Sequence, residues 1–236
     1  RRLLAQQDTV RAVFAAAPSQ NEFLEALCAA PDIDWKRVTA FHMDEYVGLD
    51  AAAPQGFGNF LRARVFDRLP FGQVCYLNGN APDVEAECSR YAGLLAQAPI
   101  DIVFMGIGEN GHIAFNEPGS SLSSRTRVKT LTTETVQANS RFFDNDVNQV
   151  PRTALTVGVG TICDADEVMI LATGANKARA LHHAIEGSIN HMWTISILQM
   201  HQHAVIVCDD EATKELKADT VKYFKDIEQS NFINVK

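Results

Sequence analysis

A doubly wound α/β fold, one mainly parallel sheet with helices on both faces, is what this 236-residue sequence predicts. Three observations carry the expectation. Short β-branched and aromatic runs alternate along the chain with stretches of helical periodicity, the pattern that builds a parallel sheet covered by helices. The apolar run at 100–105 stops at Gly106-Ile107-Gly108, as a buried parallel strand does when it enters a loop. Residues with chemical potential repeatedly fall just after predicted strands, where ligands bind in open α/β sheets.

In chain order, the apolar residues 10–17 predict a strand, and Pro18-Ser19-Gln20-Asn21 breaks it. A helix over 22–30 follows through Phe23, Leu24, Leu27 and Cys28, with Ser19 as its expected N-cap and nearby amides free to face an anion. Residues 38–43 form the next strand and lead into Asp44-Glu45, two carboxylates at a strand end. Phe57, Phe60, Leu61 and Val65 share one face of a helix over 56–66, which Leu69-Pro70 ends. A short strand is expected within 71–77, then a turn at 78–83, then a helix with the stripe Val84, Cys88, Tyr91 and Leu95.

That helix delivers the chain to the strand at 100–105. Residues 120–129 are polar and read as an exposed strand or a loop, whereas 154–160 and 168–171 are further strands. Lys177 opens a helix with Ala178, Leu181, His182 and Ile185 on one face. Residues 204–207 make the last strand before a terminal helix from about Glu211. With no internal repeat or low-complexity linker, residues 1–236 are expected to be one domain, and the natural chain is expected to begin before Arg1.

The loop at 106–118, Gly-Ile-Gly-Glu-Asn-Gly-His-Ile-Ala-Phe-Asn-Glu-Pro, concentrates the chemistry. Its glycines allow close backbone approach, and His112 and Glu117 place an imidazole and a carboxylate within one loop. Gly111 is followed by a histidine with no helix-opening pattern, which disfavours nicotinamide binding. The net charge of −8 and the lack of a Lys/Arg cluster argue against a nucleic-acid or anionic-membrane surface. Five scattered cysteines without zinc spacing read as reduced thiols of a cytoplasmic protein, and no metal site is expected. Neither a membrane-spanning run nor a signal-peptide core is seen.

Several long stretches, taken together, are more specific. Phe41-His42-Met43-Asp44-Glu45-Tyr46-Val47-Gly48-Leu49, the loop at 106–118, Ser121-Leu122-Ser123-Ser124-Arg125-Thr126-Arg127-Val128-Lys129-Thr130-Leu131 and Asn190-His191-Met192-Trp193-Thr194 resemble the glucosamine-6-phosphate deaminase family. The resemblance runs from about Ala15 over nearly the whole chain. It implies conversion of glucosamine 6-phosphate and water into fructose 6-phosphate and ammonia, without metal or organic cofactor. Asp44 is implied as the base at C2, His112 as the group that opens the sugar ring, and Glu117 as the carboxylate that orients and charges it.

Asn110 stands where the family usually has an aspartate, so a neutral amide replaces a carboxylate beside His112. Phosphate and substrate contacts are implied at Arg141 and Lys177, at Gly111, and at the amides around Ser19 and Gln20, in a first loop that also departs from the family's usual glycine- and threonine-rich turn. On the residues alone, Arg141 suits a surface ion pair, Lys177 an ordinary helix start, and Ser19 an ordinary cap. His42, His182, His183, His201 and His203 read as core-edge or surface histidines.

Ser120, Arg127, Lys129 and Thr130 match the positions of a second sugar-phosphate site in allosteric members. The implied activator is N-acetylglucosamine 6-phosphate, bound between subunits of a homo-oligomer that would be a hexamer. A 6-phosphogluconolactonase-like hydrolase and a non-catalytic sugar-phosphate-binding domain weakened by Asn110 are the alternatives. A preference for galactosamine 6-phosphate is a variant of the same chemistry.

Overall fold

The computed structural model describes the backbone of residues 1–233 and the side chains of residues 1–229. The strands are β1 (Val10–Phe14), β2 (Val38–His42), β3 (Asp44–Tyr46), β4 (Gln73–Cys75), β5 (Ile102–Gly106), β6 (Arg127–Thr130), β7 (Thr153–Thr156), β8 (Glu167–Ala172) and β9 (Ala204–Cys208). The helices are α1 (Arg2–Gln6), α2 (Asn21–Ala29), α3 (Phe57–Leu61), α4 (Val84–Leu95), α5 (Thr133–Asn139), α6 (Val159–Cys163), α7 (Ala178–Ile185) and α8 (Ala218–Ile233).

Six strands pair in the order β4-β2-β1-β5-β8-β9, and every pairing is parallel. The chain works outward from β1 through β2 and β4, then returns to the other side of β1 and works outward again. This reversal between β1 and β5 leaves a crevice beyond their carboxyl ends, the place where open α/β sheets bind ligands. Successive strand residues point to opposite faces. Val13, Val103 and Met105 accordingly pack with Cys88, Tyr91 and Leu95 of α4, whereas Val10, Ala12 and Phe14 pack with Leu24 of α2 and Leu61 of α3. Helices therefore cover both faces, as the sequence predicts.

A second, three-stranded sheet in the order β3-β7-β6 is antiparallel. It corrects two expectations. The run at 154–160 is not a further parallel strand: Ala154, Leu155 and Thr156 are all buried, so composition alone reads as a parallel strand although the partners are antiparallel. Part of the polar stretch at 120–129 becomes β6, half-buried under α4. A third apolar cluster, with Tyr46, Phe115, Leu131, Val136 and Phe143, ties this sheet to α5 and to the loop after β5.

Three element boundaries also differ. Pro18–Gln20 form a 3-10 turn and α2 starts at Asn21, with Gln20 at its N-cap and no side-chain capping bond, so Ser19 is not the cap. Pro18 has no N–H and a fixed φ, which suits the first residue of that separate turn. Beyond α3 the helix continues as a π-helical segment, Arg62–Phe66. The terminal helix starts at Ala218 rather than near Glu211. Asp209 accepts from the backbone N–H of Ala212 and of Gly174, and so holds the chain in a turn ahead of it. Among the described residues no helix is long and apolar enough to cross a membrane.

Candidate active site

A cleft of about 980 Å³ opens at the carboxyl ends of β1 and β5. Its walls come from the residues after β1, from Met43 between β2 and β3 and Asp44 at the start of β3, from the loop after β5, from α5 and the turn behind it, and from the start of α7. Asp44, Asn110, His112, Ser19, Arg141 and Lys177 all line it, although they are far apart in sequence.

The loop after β5 builds one wall. The Glu117 carboxylate is 1% exposed, and its Oε2 lies 3.2 Å from His112 Nδ1 and accepts from Asn110 Nδ2 at 3.0 Å. Its Oε1 accepts the backbone N–H of Thr132 at 3.3 Å. Asn110 works in both directions, because its Oδ1 also accepts the backbone N–H of His112 at 3.2 Å. Burial on its own would push the Glu117 carboxyl up. The hydrogen bond and electrostatic pull of His112, with bonds from Thr135 and Asn110, outweigh it and hold the group at about 2.

An ionised carboxylate only accepts, so His112 Nδ1 carries the hydrogen and Nε2 is left for the cleft. That nitrogen passes over Gly108, where an added Cβ would lie 2.4 Å from it. Gly111 has φ +80° and packs against the ring of Trp193, which also stacks on His183 at 3.8 Å. The indole thus braces the loop at Gly111.

Asp44 forms the opposing group. Burial, and secondarily the charge of neighbouring Glu45, push its carboxyl up to about 8. Glu45 accepts three backbone N–H groups, from Tyr46 at 3.0 Å, Phe57 at 3.1 Å and Gly58 at 2.8 Å, and so caps the start of α3. Burial raises the Glu45 carboxyl despite those bonds. His42, expected at the core edge or surface, is fully buried beneath this pair. Burial, with the nearby charge of Arg62, brings its imidazole down to about 3. Its Nδ1 accepts from Leu77, and its Nε2 stands 3.6 Å from Glu45 Oε2.

Arg141, Lys177 and Arg179 form a basic end of the cleft. Burial lowers the Lys177 ammonium and the charge of Arg141 lowers it further, while Glu109 opposes both. Ser19 lines the cleft, but Gln20 does not: it is 1% exposed, behind the wall, with Nε2 3.3 Å from Ser19 Oγ. Gly111 likewise lies behind the lining, packed on Trp193. Sequence reasoning missed Glu109, Asn139, Asn176 and Trp193 as lining residues. Asn176 and Trp193 stood inside stretches already singled out, next to Lys177 and within the Asn-His-Met-Trp-Thr motif.

Ser120, Arg127, Lys129 and Thr130 lie away from this cleft. Ser120 is buried with no partner for its hydroxyl, and Arg127 donates to Asn116 Oδ1 at 2.8 Å. Arg127 and Lys129 share one face of β6, and Thr130 points to the other.

Residues 1–207 match the family model described as glucosamine-6-phosphate isomerases/6-phosphogluconolactonase. The chain belongs to this family. It is 59% identical over 202 residues to a glucosamine-6-phosphate deaminase of Phocaeicola vulgatus, covering 84% of this chain and 77% of that one. To the glucosamine-6-phosphate deaminase of Pasteurella multocida it is 54% identical over 218 residues, 91% of this chain and 82% of the relative. Among solved structures it superposes on a monomeric glucosamine-6-phosphate deaminase with a TM-score of 0.83 at 33% identity, over 91% of this chain and 92% of the other. A 6-phosphogluconolactonase from Thermotoga maritima shares the fold, with a TM-score of 0.67 at 20% identity, over 88% of this chain and 89% of that one.

Proposed function

We infer that this chain is a glucosamine-6-phosphate deaminase, taking glucosamine 6-phosphate and water to fructose 6-phosphate and ammonia. The observation that carries the reading is one cleft in which Asp44, His112 backed by buried Glu117, and the cations Arg141 and Lys177 face a common space. Within the family, deaminases are the relatives of high identity, whereas the lactonase similarity is one of fold.

The phosphate is assigned to Arg141, in the turn behind α5, and Lys177, at the start of α7, with Ser19 in the same cleft; two cations match a dianion. His112 opens the ring, moving a proton between the ring oxygen and the C1 hydroxyl through Nε2, while Glu117 holds Nδ1–H and balances the charge that forms. Asp44, as carboxylate, takes the C2 proton and leaves an enolamine. The protonated Asp44 gives that proton to C1, which leaves an imine at C2 and restores the carboxylate; water adds at C2, and the C–N bond breaks to release ammonia. Side chains suffice for each transfer, and no cofactor is assigned. Asn110 contributes by holding Glu117 and the His112 backbone together.

A regulatory site for N-acetylglucosamine 6-phosphate at Ser120, Arg127, Lys129 and Thr130, between subunits of a homo-oligomeric hexamer, is a further part of the proposal. It is supported by the unpartnered buried Ser120 hydroxyl and by two cations on one face of β6. Cytoplasmic location is proposed as well, supported by five free cysteines. The test is ammonia and fructose 6-phosphate release from glucosamine 6-phosphate, beside galactosamine 6-phosphate and 6-phosphogluconolactone, with and without the activator, with the mass read by light scattering. Equal release of both products from the first substrate is expected; lactone hydrolysis alone would replace the reading with a hydrolase.

A further inference from the structure

The basic end of the cleft already contains an anion of the protein's own. Glu109 projects from the loop after β5 into the same space as Arg141 and Lys177. Its Oε1 accepts from Asn176 Nδ2 at 2.7 Å and stands 3.8 Å from Arg141 Nη1. Neither contact is a deep anchor: the Glu109 and Arg141 side chains are 44% and 48% exposed, and half-exposed pairs contribute little to stability.

We propose that Glu109 is an internal counter-anion of the phosphate subsite, sitting among Asn176, Arg141 and Lys177 when the cleft is empty and leaving when the substrate's phosphate arrives. The proposal rests on the assignment of that subsite made above. A phosphate dianion brings two charges and three acceptor oxygens where Glu109 brings one charge, so the exchange favours the substrate. The displaced carboxylate stays tethered one residue from Asn110, and its charge opposes the incoming dianion. Glu109 therefore weakens phosphate binding and raises KM.

A counter-anion can also act in the opposite sense, by holding cations ready for a ligand. The distances decide against it. Arg141 stands 3.8 Å from Glu109, beyond hydrogen-bonding range, and Lys177 makes no hydrogen bond or ion pair with it, so the carboxylate orients neither cation. Charge repulsion is the larger effect.

The experiment compares wild type with Glu109→Gln and Glu109→Ala on the full chain. Binding of inorganic phosphate is measured by calorimetry at low ionic strength, and KM for glucosamine 6-phosphate by steady-state kinetics. The expected result is phosphate binding roughly three- to tenfold tighter in both variants, a gain that shrinks as salt is added, and a lower KM. A tighter complex is not what structural damage produces, and phosphate binding is read without turnover. If the chain turns over no amino sugar phosphate yet both variants bind phosphate more tightly, the deaminase reading fails and this inference stands. Unchanged, weaker or absent phosphate binding in both variants overturns it.

Discussion

Asn110 Nδ2 donates to Glu117 Oε2 at 3.0 Å, and the same Oε2 lies 3.2 Å from His112 Nδ1. One buried carboxylate oxygen thus serves an amide and an imidazole together. The amide has a consequence that an aspartate would not have: it supplies a donor where a second carboxylate would supply a like charge.

Asn110→Asp places two carboxylates about 3 Å apart, so the pair holds a shared proton that is lost only at higher pH. Glu117 in the native protein behaves oppositely. With its carboxyl depressed from 4.5 to about 2, its stabilising contribution is present above the unfolded value and is lost as pH falls through the folded one. The Tm deficit of Asn110→Asp against wild type is therefore expected to grow from mildly acid to mildly alkaline pH. Asn110→Ala removes a donor from a buried charge and should cost about 1.5–3 kcal/mol in urea unfolding.

Asp44 sets the alkaline behaviour. Its carboxyl is raised from 3.8 to about 8, so the free enzyme has its C2 base in carboxylate form only as pH approaches that value. The pH profile of kcat/KM should rise through about pH 8. The sign for stability is the reverse: the folded state holds an extra proton between the two values, so Asp44's contribution falls as pH rises through that window. Asp44→Asn should flatten the dependence of Tm on pH there.

Glu45→Gln removes the charge that adds to burial in raising Asp44, and the kcat/KM limb should move to lower pH. Glu45→Ala also removes the acceptor of three backbone N–H groups at the start of α3, so a stability loss of about 1–3 kcal/mol is expected. An unmoved limb in Glu45→Gln would assign the raised carboxyl to burial alone.

Gly108→Ala tests the approach of His112. The new Cβ would lie 2.4 Å from Nε2, while the backbone at 108 needs no left-handed conformation. The imidazole must therefore move, and a displacement of this size is expected to cost on the order of 10²-fold in kcat while the fold survives. Circular dichroism and kinetics on the same sample separate the two effects.

Some of this was legible from residue order. The Asn110, His112 and Glu117 contacts lie within one loop, so spacing alone brought them together, and the strand ahead of them announced itself by ending at Gly106. The small antiparallel sheet was not legible, because the fully buried Ala154-Leu155-Thr156 run reads like a parallel strand until its partners are known. Glu109 was missed for a different reason: its partner Asn176 is 67 residues away, and only the pairing of β5 with β8 brings the loops that follow them together. Gln20 shows the reverse error, since a residue beside Ser19 in sequence points behind the wall rather than into the cleft.

The most direct measurement is exchange of the C2 proton of glucosamine 6-phosphate with deuterium oxide, followed by NMR for wild type and Asp44→Asn. Wild type is expected to exchange the C2 position while releasing ammonia, and Asp44→Asn to slow exchange on the order of 10²–10⁴-fold with phosphate binding retained. Exchange at the wild-type rate in Asp44→Asn would contradict the assignment of Asp44 as the base at C2.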